Sequence, residues 1–155
     1  MFQVSQEDVR RYFASIWMHR QDGMLDKQQQ RALAIILEHP EYHVILENLD
    51  RYLTHQWLPE EGYSNPFLHL SLHLSLQEQC AIDQPQGITF LAEEMVKKTG
   101  DRHQSEHMMM DALTEMIWQA QQNGQRFDVN LYITLLRKKL GLPQEDNLRL
   151  NPHEI

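Results

Sequence analysis

The sequence predicts an all-α fold, a compact single-domain bundle of about six to seven helices around a buried central helix at 65–82. Three observations predict it. Apolar residues recur at helical spacing along most of the chain. Ser, Asp or Asn stands before those runs, and Gly or Pro follows them, as helix caps and stops require. One segment alternates like a strand, and no other stretch offers it a strand partner.

Ser5 with Asp8 makes the looser, aspartate form of a capping box and opens a helix at 6–20, with Val9, Tyr12, Phe13, Ile16 and Trp17 on its core face. Gln21-Asp22-Gly23 breaks it. Asp26 caps a second helix, 27–38, with Leu33, Ile36 and Leu37 inward. Pro40 stops that helix and, as a first-turn residue, starts another through Tyr42, Ile45, Leu46, Leu49 and Leu53. Pro, Gly and two acids make Trp57–Ser64 a loop.

Residues 65–82, NPFLHLSLHLSLQEQCAI, alternate strictly from Phe67 to Leu76, which is a strand's period. A helix is expected nonetheless. Asn65 is an N-cap with Pro66 at the first helical position, leucine favours helix, and β-branched residues are absent from Phe67 to Ala81. At roughly 100° per residue, Leu68, Leu70, Leu72, Leu74 and Leu76 share one wide arc with His69, His73, Gln77 and Cys80. Ser71, Ser75 and Glu78 take the outer side. His69 and His73 thus lie mid-arc, about 6 Å apart along the axis.

Beyond the turn Asp83–Gly87, a short helix spans 88–99 up to Gly100. Asp101 caps a long helix, 102–122, which Asn123-Gly124 closes. Asp128 caps the last, 129–140, with Leu131, Tyr132, Leu135, Leu136 and Leu140 inward, ended by Gly141 and Pro143. One helical domain therefore covers 1–143, and the polar residues 144–155 are expected to fray.

Net charge is −8, from 22 acids against 14 bases, with no concentrated basic face. Nucleic acid and anionic membrane surfaces are disfavoured as partners, since both select a positive footprint. A single cysteine excludes an intramolecular disulfide. Neither a signal segment nor an apolar run of about 18 residues is present, so a cytoplasmic location is expected.

Chemistry, where legible, starts at histidine. Six of the 9 histidines fall in pairs at four-residue spacing: His39/His43, His69/His73 and His103/His107. On a helix such residues lie one above the other, so two imidazoles can converge on one ion. His39 precedes Pro40 and is expected to serve as a cap, which makes its pairing with His43 doubtful. His103, His107, Asp111, Thr114, Trp118 and Gln121 share a polar stripe beside an apolar face of Met109, Met110, Leu113, Met116 and Ile117, with Glu115 next to the stripe. The ordinary role of a buried histidine is to bond a carbonyl or carboxylate; two at mid-arc need partners for four ring nitrogens, and a metal supplies two of them. Met108-Met109-Met110 suits core filling better than copper(I). Cys80 is about 10 Å along the axis from His73, which excludes a Cys–His nucleophile pair on that helix.

The runs HPEYH at 39–43, NPFLHLSLHLSLQEQ at 65–79 and DQPQGI at 83–88, with the spaced His107, Leu113, Trp118 and Gln121, resemble the bacterial domain-of-unknown-function family 1841. The resemblance covers essentially residues 2–140 and implies a shared fold without an assigned activity. The pair His69/His73 is also similar in spacing to ligands of DinB-like bundles, whose three-histidine metal site would find its third member here in His107 or His43; likeness of fold alone transfers no chemistry.

Two functions of different class follow. In the first, the protein binds a divalent transition metal such as zinc, iron or nickel through His69, His73 and His107, with Asp111 or Glu115 as a fourth or supporting ligand. In the second, a non-enzymatic interaction or regulatory protein uses its histidines as a structural polar network. It would then meet a protein partner or a second copy of itself through Pro59–Gly62 or through the helix bearing Glu93, Glu94, Lys97 and Lys98. No catalytic residue is identified.

Overall fold

Side-chain caps fix where the helices begin. The computed structural model describes residues 5–57 and 65–144, and every regular element among them is helical. α1 (Gln6–Met18) opens where Ser5 Oγ accepts from the Asp8 N–H at 3.1 Å. α2 (Lys27–Leu37) starts with a full capping box. The Asp26 carboxylate accepts from the Gln29 N–H, and the Gln29 side chain accepts from the Asp26 N–H. The helix expected from Pro40 to Leu53 is instead three short pieces: a 3-10 turn at Pro40–Tyr42, α3 (His43–Leu46) and α4 (Leu49–Tyr52). The break lies at Asn48, at φ −124° and ψ 51°, where the side-chain amide donates to the Val44 carbonyl at 2.6 Å. A short amide that competes with the backbone for hydrogen bonds is a helix interrupter.

α5 (Pro66–Ile82) is the expected central helix, with Asn65 Oδ1 accepting from the N–H groups of Phe67 and Leu68. α6 (Ile88–Thr99), α7 (Arg102–Asn123) and α8 (Val129–Leu140) follow within a residue of their expected bounds. Gly100 and Gly124 end α6 and α7 in the left-handed region, at φ +78° and +61°, where a β-carbon would be strained.

Chain contacts divide the protein into two units, residues 1–75 and 76–155, with the boundary falling inside α5. In the first unit, α1 packs on α2, α3 and α4. Its core gathers Phe13, Ile16, Trp17, Ala32, Ile35, Ile36, Leu46, Phe67, Leu70 and Leu74, all buried. Arg10, only 3% exposed, ties this unit to its loop. Its guanidinium donates to the carbonyls of Tyr52, Leu53 and His55 at 2.8 to 3.0 Å and lies over the rings of Trp57 and Phe67. A long side chain with several donors can close a helix end this way while its charge stays satisfied.

In the second unit α6, α7 and α8 pack pairwise. Ile88, Leu91, Met95, Met109, Met110, Leu113, Met116, Tyr132 and Leu136 are buried there. The three consecutive methionines thus put two, Met109 and Met110, into the core, as filler. Glu106 is buried too. It accepts from Arg102 Nη1 at 2.8 Å and from Gln77 Nε2 at 3.2 Å, so the carboxylate enters the interior already paired.

Three side chains face otherwise than expected. Leu37, expected inward, is 55% exposed, and Ile35 takes its place in the core beside Ile36. On α5, Leu68 is exposed while Ser71 is buried. The Ser71 hydroxyl donates to the Phe67 carbonyl one turn back at 2.8 Å, and a serine so satisfied can lie in an apolar interior. Phe67, Leu70, Leu72, Leu74 and Leu76 are all buried. The segment is therefore a helix enclosed on most of its circumference, rotated slightly from the expected arc. The acidic loop at 59–62 and the tail at 145–155 lie outside the described residues.

Candidate metal centre

The site begins with one cap residue and one helix. His39 precedes a proline and stands at the head of the 3-10 turn, where its side chain makes no cap bond. Its imidazole is free to turn inward and is 2% exposed. Nδ1 donates to the Ile35 carbonyl at 2.8 Å. A carbonyl that fixes tautomer and orientation in this way is the usual support of a metal-binding histidine. Tyr42 stacks parallel to His39, with ring centroids 5.3 Å apart. Burial, and after it Glu41, raises the Tyr42 phenol above its ordinary range.

From α5, His73 is fully buried and His69 half-buried, one turn apart on the same side. Ring centroids of His39 and His73 are 4.8 Å apart, those of His39 and His69 5.0 Å, and those of His69 and His73 4.9 Å. His39 and His73 each present one ring nitrogen within 4.8 Å of the other. Both Nε2 atoms are buried.

The second unit has a matching pair on α7. His103 and His107, one turn apart, have ring centroids 4.3 Å apart and offer nitrogens within 4.8 Å of one another. Both rings are half-buried. Asp111, one turn further along, is exposed and meets Lys139 Nζ at 3.5 Å. Glu115 accepts from Gln119 Nε2 at 2.7 Å. Cys80 is half-buried, with its thiol held in the protonated form by burial and, secondarily, by Glu106, Asp83 and Glu93.

His43 is engaged elsewhere. Its Nε2 donates to the Ile36 carbonyl at 2.9 Å, and its ring stacks on Trp17 with centroids 4.0 Å apart. The four-residue spacing of His39 and His43 therefore does not produce a chelating pair. The neighbours of His39 are His69 and His73, far away in sequence, and only the pre-proline break at His39 hints that its ring could leave the helix face.

The family model described as Domain of unknown function (DUF1841) matches residues 5–138. The chain belongs to that family. No curated protein and no solved structure matches it. Within this DUF1841 chain, the run HPEYH supplies His39 and the Tyr42 ring beside it, and NPFLHLSLH supplies the cap of α5 with His69 and His73. Among the described residues of this family member, no helix is long and apolar enough to cross a membrane.

Proposed function

We propose that this DUF1841 protein binds a divalent transition-metal ion through histidine, with His39 and His73 of the first unit as ligands; His103 and His107 are a second candidate pair, within the second unit. Within each pair, His39/His73 and His103/His107, a ligand nitrogen of one ring lies within 4.8 Å of one on the other, near enough to share an ion after small side-chain rotations. The observation that carries the proposal is the approach of two buried imidazoles, His39 and His73, with ring centroids 4.8 Å apart and His39 oriented by its bond from Nδ1 to the Ile35 carbonyl. An all-imidazole set suits zinc, nickel, iron or copper and disfavours magnesium and calcium, which prefer oxygen. Asp111 and Glu115 fall outside the proposed set, since one is exposed against Lys139 and the other holds Gln119. The structural-network alternative describes His43, whose ring is occupied by Ile36 and Trp17. We place the protein in the cytoplasm on its acidic charge and lack of a long apolar segment.

The test is elemental analysis of untagged protein prepared without chelator, followed by cobalt(II) titration read by visible absorption. Metal uptake is expected, with a visible cobalt spectrum that His73→Ala abolishes if the ion sits in the first unit. Wild-type protein that carries no metal and takes up neither zinc, nickel nor cobalt would overturn the proposal.

A further inference from the structure

We infer that His69 is the exchange ligand of this centre, the imidazole through which an ion enters and leaves. The inference rests on the metal-binding proposal and deepens it. The three rings of His39, His69 and His73 form a near-equilateral triangle with sides of 5.0, 4.8 and 4.9 Å. Two imidazoles that share an ion at about 2.0–2.1 Å from each nitrogen have centroids roughly 5 Å apart, so each side of the triangle matches a shared ion. His39 and His73 offer ligand nitrogens within 4.8 Å of one another, and both rings are buried. His69 is a ring neighbour of both and differs from them in its exposure.

Burial grades across the triangle. His73 is 0% exposed and His39 2%, whereas His69 is half-buried. Water therefore reaches the cluster on the His69 side. An aqueous ion must exchange its waters for imidazole nitrogens one at a time, and desolvating it in a single step is costly. A half-exposed imidazole beside two buried ones lowers that cost. Its nitrogen displaces the first water at the surface, and an inner imidazole then displaces it in turn. Release runs the same steps in reverse. Tyr42, edge-on to His69 with ring centroids 6.0 Å apart and stacked on His39, holds both rings at this station.

The experiment compares zinc affinity, from competition with a chromogenic chelator, with the rates of zinc uptake and release in stopped flow. Wild type, His69→Leu and His69→Cys are measured on the full chain. His69→Leu is expected to leave the dissociation constant within about twofold while slowing both rates about tenfold or more. His69→Cys, which restores a ligand atom at the same place, should recover fast exchange, and this also excludes a folding defect as the cause of slow exchange in the leucine variant. Unchanged rates in His69→Leu would overturn the inference and leave the metal proposal standing. A loss of affinity as deep as that of His73→Ala would overturn it as well, by making His69 a standing ligand. No zinc uptake by wild type would sink the metal proposal and this inference together.

Discussion

The rotational setting of α5 decides which way its histidines face, and a pair of leucine truncations measures it. Leu74 is fully enclosed, in one cluster with Phe13, Ile16, Trp17 and Ile36. Leu68, on the same helix, is 45% exposed. Leu74→Ala removes three carbon atoms from the interior, about 2.4 kcal/mol of transfer free energy at roughly 0.8 kcal/mol each. Its neighbours come from several helices and cannot all close in, so a cavity contribution raises the expected loss to about 3–4 kcal/mol. Leu68→Ala forfeits only the buried half of its side chain and seals no cavity, for about 1 kcal/mol. Urea denaturation followed by circular dichroism reads the difference. With an unchanged slope, the Leu74→Ala midpoint should fall below that of Leu68→Ala by on the order of 1 M. Equal losses, or a larger loss at Leu68, would refute the reasoning. They would mean that α5 is turned about its axis and that His73 does not face the interior beside Leu74.

Other outcomes follow from single contacts. Asp26→Ala removes the carboxylate half of a capping box and should cost about 1 kcal/mol, measured by thermal denaturation. Tyr132 is 1% exposed and its hydroxyl donates to Gln79 Oε1 at 2.8 Å; Tyr132→Phe should cost about 1–2 kcal/mol, and in a double-mutant cycle with Gln79→Leu the two losses should not add. Burial, and after it Cys80, raises that phenol well above the ordinary 10.0, so in an alkaline absorbance titration one of the 5 tyrosines should stay un-ionised until the protein unfolds. The Asp83 carboxylate is held below its ordinary 3.8 by the N–H groups of Thr89 and Gly87. Its folded-state value is the lower one, so its contribution is complete above 3.8 and is lost as pH falls through the folded value. Asp83→Asn should therefore flatten the acid limb of the stability–pH curve, and an unchanged limb would count against the assignment.

Much of the fold was legible because caps are local. Ser5, Asp26, Asn65, Asp101 and Asp128 each bond the N–H groups next to them, and their helices begin where those residues predict. The break at Asn48 was missed because a single amide outweighed good periodicity on either side. The facing of Leu68 and Ser71 was missed for another reason. A helix enclosed on most sides gives its apolar arc no sharp edge, and a hydroxyl bonded to its own backbone is no longer polar to its neighbours. Of the histidines, spacing raised His69, His73 and His107 as candidates, while the nearness of His39 to His69 and His73 could not be read from it. The neighbours of His39 lie about thirty residues away in sequence, and no local pattern encodes a contact of that range.

The place of α5 in the chain also bears on how the protein is made. The core of the first unit is not complete without Phe67, Leu70 and Leu74, which come last among its members. During synthesis, α1 and α2 therefore emerge with Phe13, Ile16, Ile35 and Ile36 lacking their final cover. At about 5–20 residues per second the interval lasts on the order of seconds, long enough for a nascent chain to engage a chaperone. Because the unit boundary falls inside α5, translation cannot deliver one finished unit and pause before the next: the same seventeen-residue helix closes the first and opens the second.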